Sequence, residues 1–420
     1  MNPDFQIIGG GLIGLSTAYA LLKRGVSVRI IEAREGVALE TSFANAGMVH
    51  ASLADPWNGP GVGQQMLASL FGRPSAMTLR LGALPTMAGW GLKFLKHSTD
   101  EKHWQATKAN YRLAEYSSAL IHKWRNDLNI KDGCHGTGLL KIFRDEPTFG
   151  KSRILTNKLQ KLGLKAEFLN GADAAKKEPC LAPITGDIVG AIYYPDDYKA
   201  DAYTFCQALE REILHLGGEI LTGITAVSLL TEHGVVTGVR AGKTDQRAGT
   251  TILASGAHCT GLLRPLGVRL SLRPIKGYSL TFDGIVNSSG PNLPIVDDGL
   301  HCAVTPIGQS LRIAGTAEIS GFNTSVSPKH LAPLLGMLKD IYPRLAENLS
   351  ISDGKIWYGF RPVSADGMPF IGKLMPGLAV NTGHGHMGWT MSAGSGELLA
   401  DILLGMPVNV NQKHFNPARK

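Results

Sequence analysis

The stretch FQIIGGGLIGLSTAYALLKRGVSVRIIE, residues 5–32, determines the fold. A short apolar run at residues 5–8 ends at a group of glycines, and apolar residues at helical spacing follow it. A second apolar run at residues 26–31 ends on Glu32. This order of strand, glycine turn, helix and strand predicts one βαβ unit.

The glycines of this unit have the spacing that a dinucleotide requires. Gly9 allows the sharp turn, Gly11 lets the backbone approach a pyrophosphate, and Gly14 allows the helix to pack closely on the sheet. The start of the helix directs unpaired N–H groups at the phosphates. Glu32 stands 18 residues after Gly14, where a carboxylate binds a ribose and repels a 2′-phosphate. We therefore predict dinucleotide binding, either FAD or NAD rather than NADP, over a ligand-free turn. The predicted cofactor residues here are Gly9, Gly11, Leu12, Ile13, Gly14, Glu32, Ala33 and Arg34.

Length and composition predict a globular protein of two or three domains. The chain has 420 residues, 44% of them hydrophobic and 18% charged, with a net charge of +8. The basic residues are scattered without a run of five or six, so we expect no nucleic-acid partner. Most of this charge is expected on solvated surface, with a membrane surface as the alternative partner.

The cysteines and the apolar runs bear on the compartment. Five widely spaced cysteines without a CxxC pair disfavour disulfides and structural zinc. We expect no cleavable signal peptide, because the first strand begins within a few residues of Met1. No apolar run of about 18 residues is present. These features predict a cytoplasmic protein, with peripheral contact at the inner face of the cell membrane as a second hypothesis.

Two segments after the βαβ unit differ in character. Small polar residues at positions 41–48 predict a close backbone approach to a ligand, with Ser42 as a helix cap or phosphate contact, or else a plain loop. Residues 56–97 mix apolar residues with Gly, Pro and basic residues, which indicates short amphipathic helices that cover a site, lie on lipid, or simply pack in the core. Residues 101–126 predict a solvated helix.

The remainder predicts two sheets. Apolar runs at residues 235–239 and 250–254 predict strands of the same buried sheet as the first unit, with small residues at Ser255 and Gly256 beside a ligand. Alternation after residue 274 predicts an antiparallel sheet. Near the C-terminus, a strand at residues 378–382, a glycine turn and a helix repeat the N-terminal arrangement. A long cofactor with two ends would suit two such turns.

Five separated motifs together resemble those of bacterial FAD-dependent D-amino-acid dehydrogenases, in the D-amino-acid oxidase and glycine oxidase superfamily. They are Gly9 to Gly14 with Glu32, SFANAG at 42–47, KGYS at 276–279, GFRP at 359–362 with Asp366-Gly367, and NTGHG at 381–385 with GWT at 388–390.

The resemblance implies an α/β fold, α+β overall, of the glutathione-reductase-2 or D-amino-acid oxidase type. It pairs a Rossmann-like FAD-binding domain (1–55, 195–270 and 355–420) with an antiparallel-sheet substrate domain (56–194 and 271–354) that has a helical insertion at about 56–126. It further implies oxidative deamination of a D-amino acid by hydride transfer from Cα to flavin N5. Quinone or another carrier, rather than O₂, would take the electrons.

Residue roles follow from the motif match. Arg361 matches the superfamily's substrate arginine, whose guanidinium suits a carboxylate, with a structural salt bridge as the alternative. Tyr278 would give its hydroxyl to the substrate or else be a half-buried sheet aromatic. Met48, His50, Tyr278 and His386 are expected in the substrate pocket. We expect no metal at His384 and His386, and noncovalent FAD. The further predicted cofactor residues are Ser42, Asn45, Ala46, Gly47, Met48, Val227, Ser255, Gly256, Arg361, Gly385, His386, Met387, Gly388, Trp389 and Thr390.

Three alternatives stay open on the sequence. One is an oxidase or dehydrogenase of glycine, sarcosine or a cyclic amine such as D-proline or hydroxyproline. Another is a non-catalytic flavin-binding subunit of a membrane complex. The third is a nicotinamide dehydrogenase.

Overall fold

The computed structural model describes residues 2–64, 77–79, 84–134, 136 and 138–419. Parts of the predicted amphipathic segment, at 65–76 and 80–83, lie outside the described residues. The strands are β1 (Phe5–Ile8), β2 (Val28–Ile31), β3 (Met48–Val49), β4 (Met77–Leu79), β5 (Leu139–Phe143), β6 (Glu167–Leu169), β7 (Gly190–Tyr194), β8 (Tyr198–Lys199), β9 (Glu219–Leu221), β10 (Ala226–Glu232), β11 (Val235–Ala241), β12 (Thr244–Arg247), β13 (Thr250–Leu253), β14 (Leu272–Phe282), β15 (Ile295–Asp297), β16 (Cys302–Ile307), β17 (Ser310–Ile319), β18 (Lys355–Ser364), β19 (Phe370–Met375) and β20 (Leu378–Thr382). The α-helices are α1 (Leu12–Leu22), α2 (Leu84–Lys96), α3 (Asp100–Asp127), α4 (Glu146–Gln160), α5 (Gly171–Lys177), α6 (Ala202–His215), α7 (Cys259–Leu263), α8 (Pro328–Ile341), α9 (Pro343–Ala346) and α10 (Gly388–Leu404).

The predicted βαβ unit is confirmed and forms the centre of the first sheet. The described strands of this sheet run in the order β19-β20-β13-β1-β2-β9. β1 pairs in parallel with β2 on one side and with β13 on the other, so Ile7 lies between Ile30 and Ile252. The chain leaves β1 toward β2, whereas β13 belongs to a later segment. This topological switch point is where open α/β sheets bind ligands, at the carboxyl ends of the strands.

The helices α1 and α10 pack together in one core, which places both glycine turns at the same end of the sheet. Their backbones approach closely, since a Cβ added to Gly396 would lie 2.7 Å from the backbone of Ser16. Arg24, two residues after the end of α1, forms ion pairs of 2.6 Å with Glu397 and with Asp401 of α10. The two helix N-termini therefore face one region.

Two predictions about individual elements are wrong. β11 does not join the parallel sheet; it lies between β10 and β12 in a separate three-stranded antiparallel sheet, where Val235 and Arg240 are exposed while Val236, Val239 and Ala241 are buried. α3 is not a solvated helix, because it packs on α10 and buries Leu113, Ile121 and Trp124 to 1% exposure or less.

The second sheet is mainly antiparallel, as predicted from the alternation after residue 274. The described strands run in the order β18-β14-β17-β16-β15-β5-β7-β6, with β4 pairing β17. β18 pairs with β14 along its whole length, so residues 355–364 lie in the second sheet. The predicted FAD-binding domain, which included residues 355–420, had placed them with the first sheet. α8 covers one face through Leu331, Leu334, Leu338 and Ile341. The other face looks toward the first sheet.

Candidate active site

A cavity of about 1070 Å³ lies between the two sheets. The carboxyl ends of β1, β2 and β13 form one wall, and residues of β14, β15, β16, β17 and β18 form the other. Pockets for small ligands usually have volumes of about 300–1,000 Å³, so this one is large enough for a dinucleotide. Within the described ranges, no three His, Cys, Asp or Glu side chains converge as a metal site would need.

The N-terminal glycine turn has the geometry that the sequence predicted. Gly9 has φ of +112°, which an L side chain rarely adopts, and it abuts the backbone of Ala254. Gly14 does not line the cavity; its added Cβ would lie 1.8 Å from the carbonyl oxygen of Gly9, so it serves close packing. Ser42 caps α1 from a distance, because its Oγ accepts a hydrogen bond from the Leu12 N–H at 3.0 Å.

Glu32 is held in place by the backbone around it. Its Oε2 accepts from the Gly10 N–H at 2.7 Å, and its Oε1 accepts from the Arg34 N–H at 2.8 Å. The Glu32 side chain is buried and lines the cavity. Ala33, Arg34 and Val227 also line this end of the cavity. This end of the cavity therefore presents a fixed carboxylate of the kind that binds ribose hydroxyls.

The segment after residue 41 is fastened to the second sheet through its carbonyl groups. Ser279 Oγ donates to the Ala44 oxygen at 2.8 Å, Thr305 Oγ1 donates to the Ala46 oxygen at 2.7 Å, and Arg312 donates to the Asn45 oxygen at 3.1 Å. The three carbonyl groups therefore point toward side chains of the second sheet. Ser42, Asn45, Ala46, Gly47 and Met48 all line the cavity, and their contact with the cofactor stays a prediction.

The C-terminal glycine turn contributes only part of the predicted set. Gly385, His386, Gly388 and Trp389 line the cavity, and so do Ser255 and Gly256 at the end of β13. Met387 does not; it is 2% exposed and packs in the core. Thr390 does not either, since its Oγ1 accepts from the His50 N–H at 3.0 Å and so fixes that neighbouring loop.

Arg361 is a guanidinium inside the cavity without an acidic partner among the described residues. Its side chain crosses over Gly277 of β14, and Nη1 donates to the carbonyl oxygen of Thr316 on β17 at 2.9 Å. The guanidinium lies 5.5 Å from the centre of the Trp57 ring. Burial lowers the pKa of Arg361 to about 10, which still leaves it charged at neutral pH. A carboxylate ligand would supply the missing counter-charge.

Three histidines around this arginine are kept neutral. His386 stacks on Trp57, with ring centres 5.4 Å apart, and its Nε2 lies 3.2 Å from the Leu53 oxygen. Burial lowers the pKa of His50 to about 3, with His386 adding to the effect, and burial alone lowers the pKa of His384 to about 3. His384 lines the cavity, and neither of its ring nitrogens has a hydrogen-bond partner among the described residues.

The hydroxyl of Tyr278 is not available in the way we predicted. Tyr278 is among the residues lining the cavity, but its hydroxyl donates to Glu318 Oε2, and its ring stacks on His330 of α8 at 5.2 Å. In a strand, adjacent side chains point to opposite faces. Tyr278 thus faces α8, whereas Gly277 faces Arg361, and the role of substrate hydroxyl donor is withdrawn.

The structure adds cavity residues that the sequence reasoning missed. Trp57, Thr316 and Asp298 carried no local signal, and Gly277 stood within a quoted motif without a role of its own. Cys302 also lines the cavity, but burial raises the pKa of its thiol and so disfavours the reactive thiolate. That FAD binds without a covalent bond to Cys302 stays a prediction.

The donor set fits FAD. The first glycine turn offers a cradle in which a Cβ at Gly11 would touch Ser42 Oγ at 3.0 Å, next to a helix N-terminus that favours phosphates. A second helix, α10, begins at Gly388 on the cavity wall. In the C-terminal turn, both ring nitrogens of buried His384 lack a hydrogen-bond partner among the described residues, so a polar group of the cofactor would satisfy them.

Comparisons with known proteins agree with this geometry. A family model described as DAO, FAD dependent oxidoreductase, matches residues 4–402. A D-amino acid dehydrogenase of Methylobacterium nodulans is 33% identical over 415 residues, covering 98% of this chain and 98% of that protein. One of Allorhizobium ampelinum is 34% identical over 406 residues, covering 96% of each.

Solved structures with the same fold cover the chain from end to end. L-proline dehydrogenase from P. horikoshii has a TM-score of 0.77 at 17% identity, covering 100% of this chain and 97% of that one. Glycine oxidase from Bacillus cereus has a TM-score of 0.73 at 24% identity, covering 100% and 99%. The family match over most of the chain, with relatives one third identical, shows that this chain belongs to the FAD-dependent oxidoreductases of the DAO family.

Proposed function

We propose that this chain oxidises D-amino acids to 2-oxo acids and ammonia and passes the electrons to an acceptor other than O₂. The observation that carries the proposal is Arg361, a cavity guanidinium with no acidic partner among the described residues. The names of the relatives supply the substrate class, since both are D-amino acid dehydrogenases. The catalytic and binding roles below are part of this proposal.

The chain's own residues bind and orient the substrate. Arg361 binds the carboxylate in a bidentate manner, with the Trp57 ring near the guanidinium and the Thr316 oxygen accepting from Nη1. When bound, FAD would supply the two-electron chemistry as acceptor of the Cα hydride. Loss of a hydride from the free amine leaves an iminium (C=NH2+) in the substrate, which water hydrolyses to the 2-oxo acid and ammonium.

The neutral histidines fix the protonation state of the amine. His50, His384 and His386 carry no charge near neutral pH, because burial lowers the pKa of each. With Arg361 as the nearby cation, the cavity disfavours the ammonium form of the substrate and selects the free amine. The lone pair of the free amine drives hydride loss, so no general base is required in the cavity.

An anaerobic screen of paired D- and L-amino acids, followed by flavin absorbance, tests the proposal. We expect D-amino acids to bleach the flavin and their L-enantiomers not to do so. Bleaching by glycine, sarcosine or D-proline alone would replace this proposal with the related amine oxidation. A yellow protein that no amine bleaches would indicate a non-catalytic flavin subunit. A purified protein without flavin absorbance would favour nicotinamide chemistry.

The acceptor requires a separate measurement. We infer that electrons go to a membrane quinone, as the resemblance implies, and the assay is reduction of a quinone analogue compared with peroxide release in air. Faster quinone reduction supports the inference. Stoichiometric peroxide would make the protein an oxidase.

We infer peripheral membrane contact from one face of α2. Its inner face buries Met87, Trp90 and Phe94, whereas Leu92 and Leu95 on the outer face are 72% and 44% exposed beside Lys96. Apolar residues next to lysines are typical of helices that lie at an anionic interface. Within the described ranges, no helix combines the length and apolar character that crossing a bilayer requires.

Vesicle sedimentation tests this contact. We expect binding to phosphatidylglycerol vesicles, weaker binding to phosphatidylcholine, and loss of binding in Leu92→Ser/Leu95→Ser. The matched control is Leu214→Ser, which alters a 52% exposed leucine on α6. Equal binding by both variants, or none by the wild type, would contradict the contact.

A further inference from the structure

A β-bulge in β17 lies beside the substrate arginine. The pairing between β14 and β17 shifts by one residue between Lys276 and Tyr278. Thr316 and Ala317 of β17 therefore both lie opposite Gly277 of β14. Extra residues of this kind are found next to active sites, where they redirect a side chain or end the pairing of a strand. Thr316 also lines the cavity.

The backbone of Thr316 is unusual for its residue type. Its φ is +61°, in the left-handed region, which is unfavourable for a β-branched residue. Glycine is the usual residue at the left-handed position of a bulge. The Oγ1 of Thr316 is in addition buried without a hydrogen-bond partner among the described residues. Neither feature stabilises the sheet, and strained residues of this kind persist mainly at functional sites.

The left-handed backbone accounts for the direction of the Thr316 carbonyl. In a regular antiparallel ladder a carbonyl bonds to the backbone of the neighbouring strand. The Arg361 side chain instead lies over the face of the sheet at Gly277, and its Nη1 donates to the Thr316 oxygen at 2.9 Å. On the other edge of β17, the described pairing with β16 ends at Gly315 and that with β4 begins at Ala317. Thr316 thus stands at a break in both ladders.

We propose, on the basis of the function proposed above, that the bulge positions the substrate arginine and that Thr316 is its positioning residue. The left-handed backbone turns the Thr316 carbonyl out of the ladder, where it holds Nη1 of Arg361. A guanidinium has five N–H donors, so one bond to a carbonyl leaves the pair of donors that a carboxylate needs. The bond also satisfies part of a buried charge before the substrate arrives.

The test compares two substitutions of Thr316 that differ in the backbone they allow. Glycine adopts the left-handed region readily, whereas proline is tolerated at bulges but fixes φ near about −65°. We expect the KM for a D-amino acid to be at least about 10-fold higher in Thr316→Pro than in Thr316→Gly, the usual effect of one hydrogen bond to a charged group. Flavin content should be the same in both variants. The urea midpoint of Thr316→Gly should equal or exceed that of the wild type, because glycine removes the strain and the unpaired hydroxyl.

Deletion of Thr316 is a second way to remove the bulge. It leaves Ala317 alone opposite Gly277 and keeps the register on both sides. We expect the same rise in KM as in Thr316→Pro, with the flavin retained. The matched control is deletion of Thr237, the extra residue of a bulge in β11 that does not line the cavity. It should keep the wild-type KM.

The outcomes separate the two proposals. Equal KM values in Thr316→Pro and Thr316→Gly, or a lower urea midpoint in Thr316→Gly than in the wild type, overturn the positioning role while the D-amino-acid function stands. If neither Thr316→Pro nor the deletion variant folds, the bulge serves the fold and the positioning role is likewise overturned.

A wild type that oxidises no D-amino acid overturns the function itself. The positioning role is then decided by the Kd of benzoate, a carboxylate without an α-amine, measured from the change in flavin absorbance. A Kd at least about 10-fold higher in Thr316→Pro than in Thr316→Gly supports the role. Equal values, or no binding by the wild type, overturn it.

Discussion

Replacing Gly277 by alanine should displace the substrate arginine without disturbing the fold. An added Cβ would lie 2.1 Å from Nη1 of Arg361 and 2.4 Å from its Cζ and Nη2. Nonbonded heavy atoms prefer about 3.5 Å or more, so the guanidinium must retreat by more than about 1 Å. The backbone at Gly277 is not left-handed, so alanine causes no backbone strain there.

The magnitude follows from the hydrogen bonds lost. A retreat of this size breaks the 2.9 Å bond to the Thr316 oxygen and misaligns the bidentate contact with a carboxylate. Hydrogen bonds to charged groups contribute about 1.5–3 kcal/mol, which corresponds to about 10- to 150-fold in affinity. We expect Gly277→Ala to raise the apparent KM for a D-amino acid within that range. Arg361→Ala, which removes the guanidinium, should raise it further, by orders of magnitude, with FAD retained.

The assay is an anaerobic titration of flavin absorbance with substrate, together with steady-state kinetics and the flavin content of the purified variant. Gly150→Ala is the control, because its added Cβ in α4 has nothing within 4 Å. A wild-type KM in Gly277→Ala would refute the placement of Arg361. Loss of flavin would show that the residue acts on the cofactor instead.

Three further predictions concern the cofactor end and acid stability. Gly14→Ala should yield protein without FAD or no folded protein, because its Cβ would lie 1.8 Å from the backbone oxygen of Gly9; wild-type flavin content would contradict this. Ser42→Ala removes the cap on the Leu12 N–H and should lower the free energy of unfolding by about 1 kcal/mol, measured in urea, with weaker FAD binding by dilution; unchanged values would assign Ser42 no capping role. The pKa of His384 is about 3 in the folded state and 6.5 in the unfolded state, so the unfolded state binds more protons between these values and stability falls as pH decreases through that window, by about 1.4 kcal/mol per pH unit. His384→Asn should flatten the pH dependence of urea unfolding between pH 6.5 and 4, and an unchanged slope would mean that folding does not shift the pKa of His384.

The backbone of the two glycine turns could be predicted from the sequence because its determinants are local. A strand, a glycine turn and a helix occupy about 20 consecutive residues, and the steric demands on Gly9 and Gly14 are set within them. The same holds for the C-terminal turn. At that turn, Met387 was predicted to contact the cofactor, but it packs in the core instead. Which side of one helical turn faces the cavity decides this difference.

Predictions failed where an element's surroundings decide its role. β11 has the apolar composition of a buried strand, yet its partners are β10 and β12 and not the parallel sheet. Tyr278 belongs to a motif associated with the substrate, but the parity of β14 turns its side chain toward α8. Which face of a sheet a side chain points to, and which strands pair, depend on the register of the whole sheet. A short stretch of sequence does not determine either.

The substrate end depends almost entirely on such long-range register. Arg361 reaches the cavity only because β18 pairs with β14 so that Gly277 leaves space beneath it. Trp57 is positioned by a loop that buried Asp197 anchors, through a hydrogen bond from the Ala51 N–H at 3.0 Å. Burial raises the pKa of Asp197 to about 7, so this anchor changes charge near neutral pH. Substitutions in this register and loop can therefore change which amine binds while the FAD-binding turns, built from local sequence, stay the same.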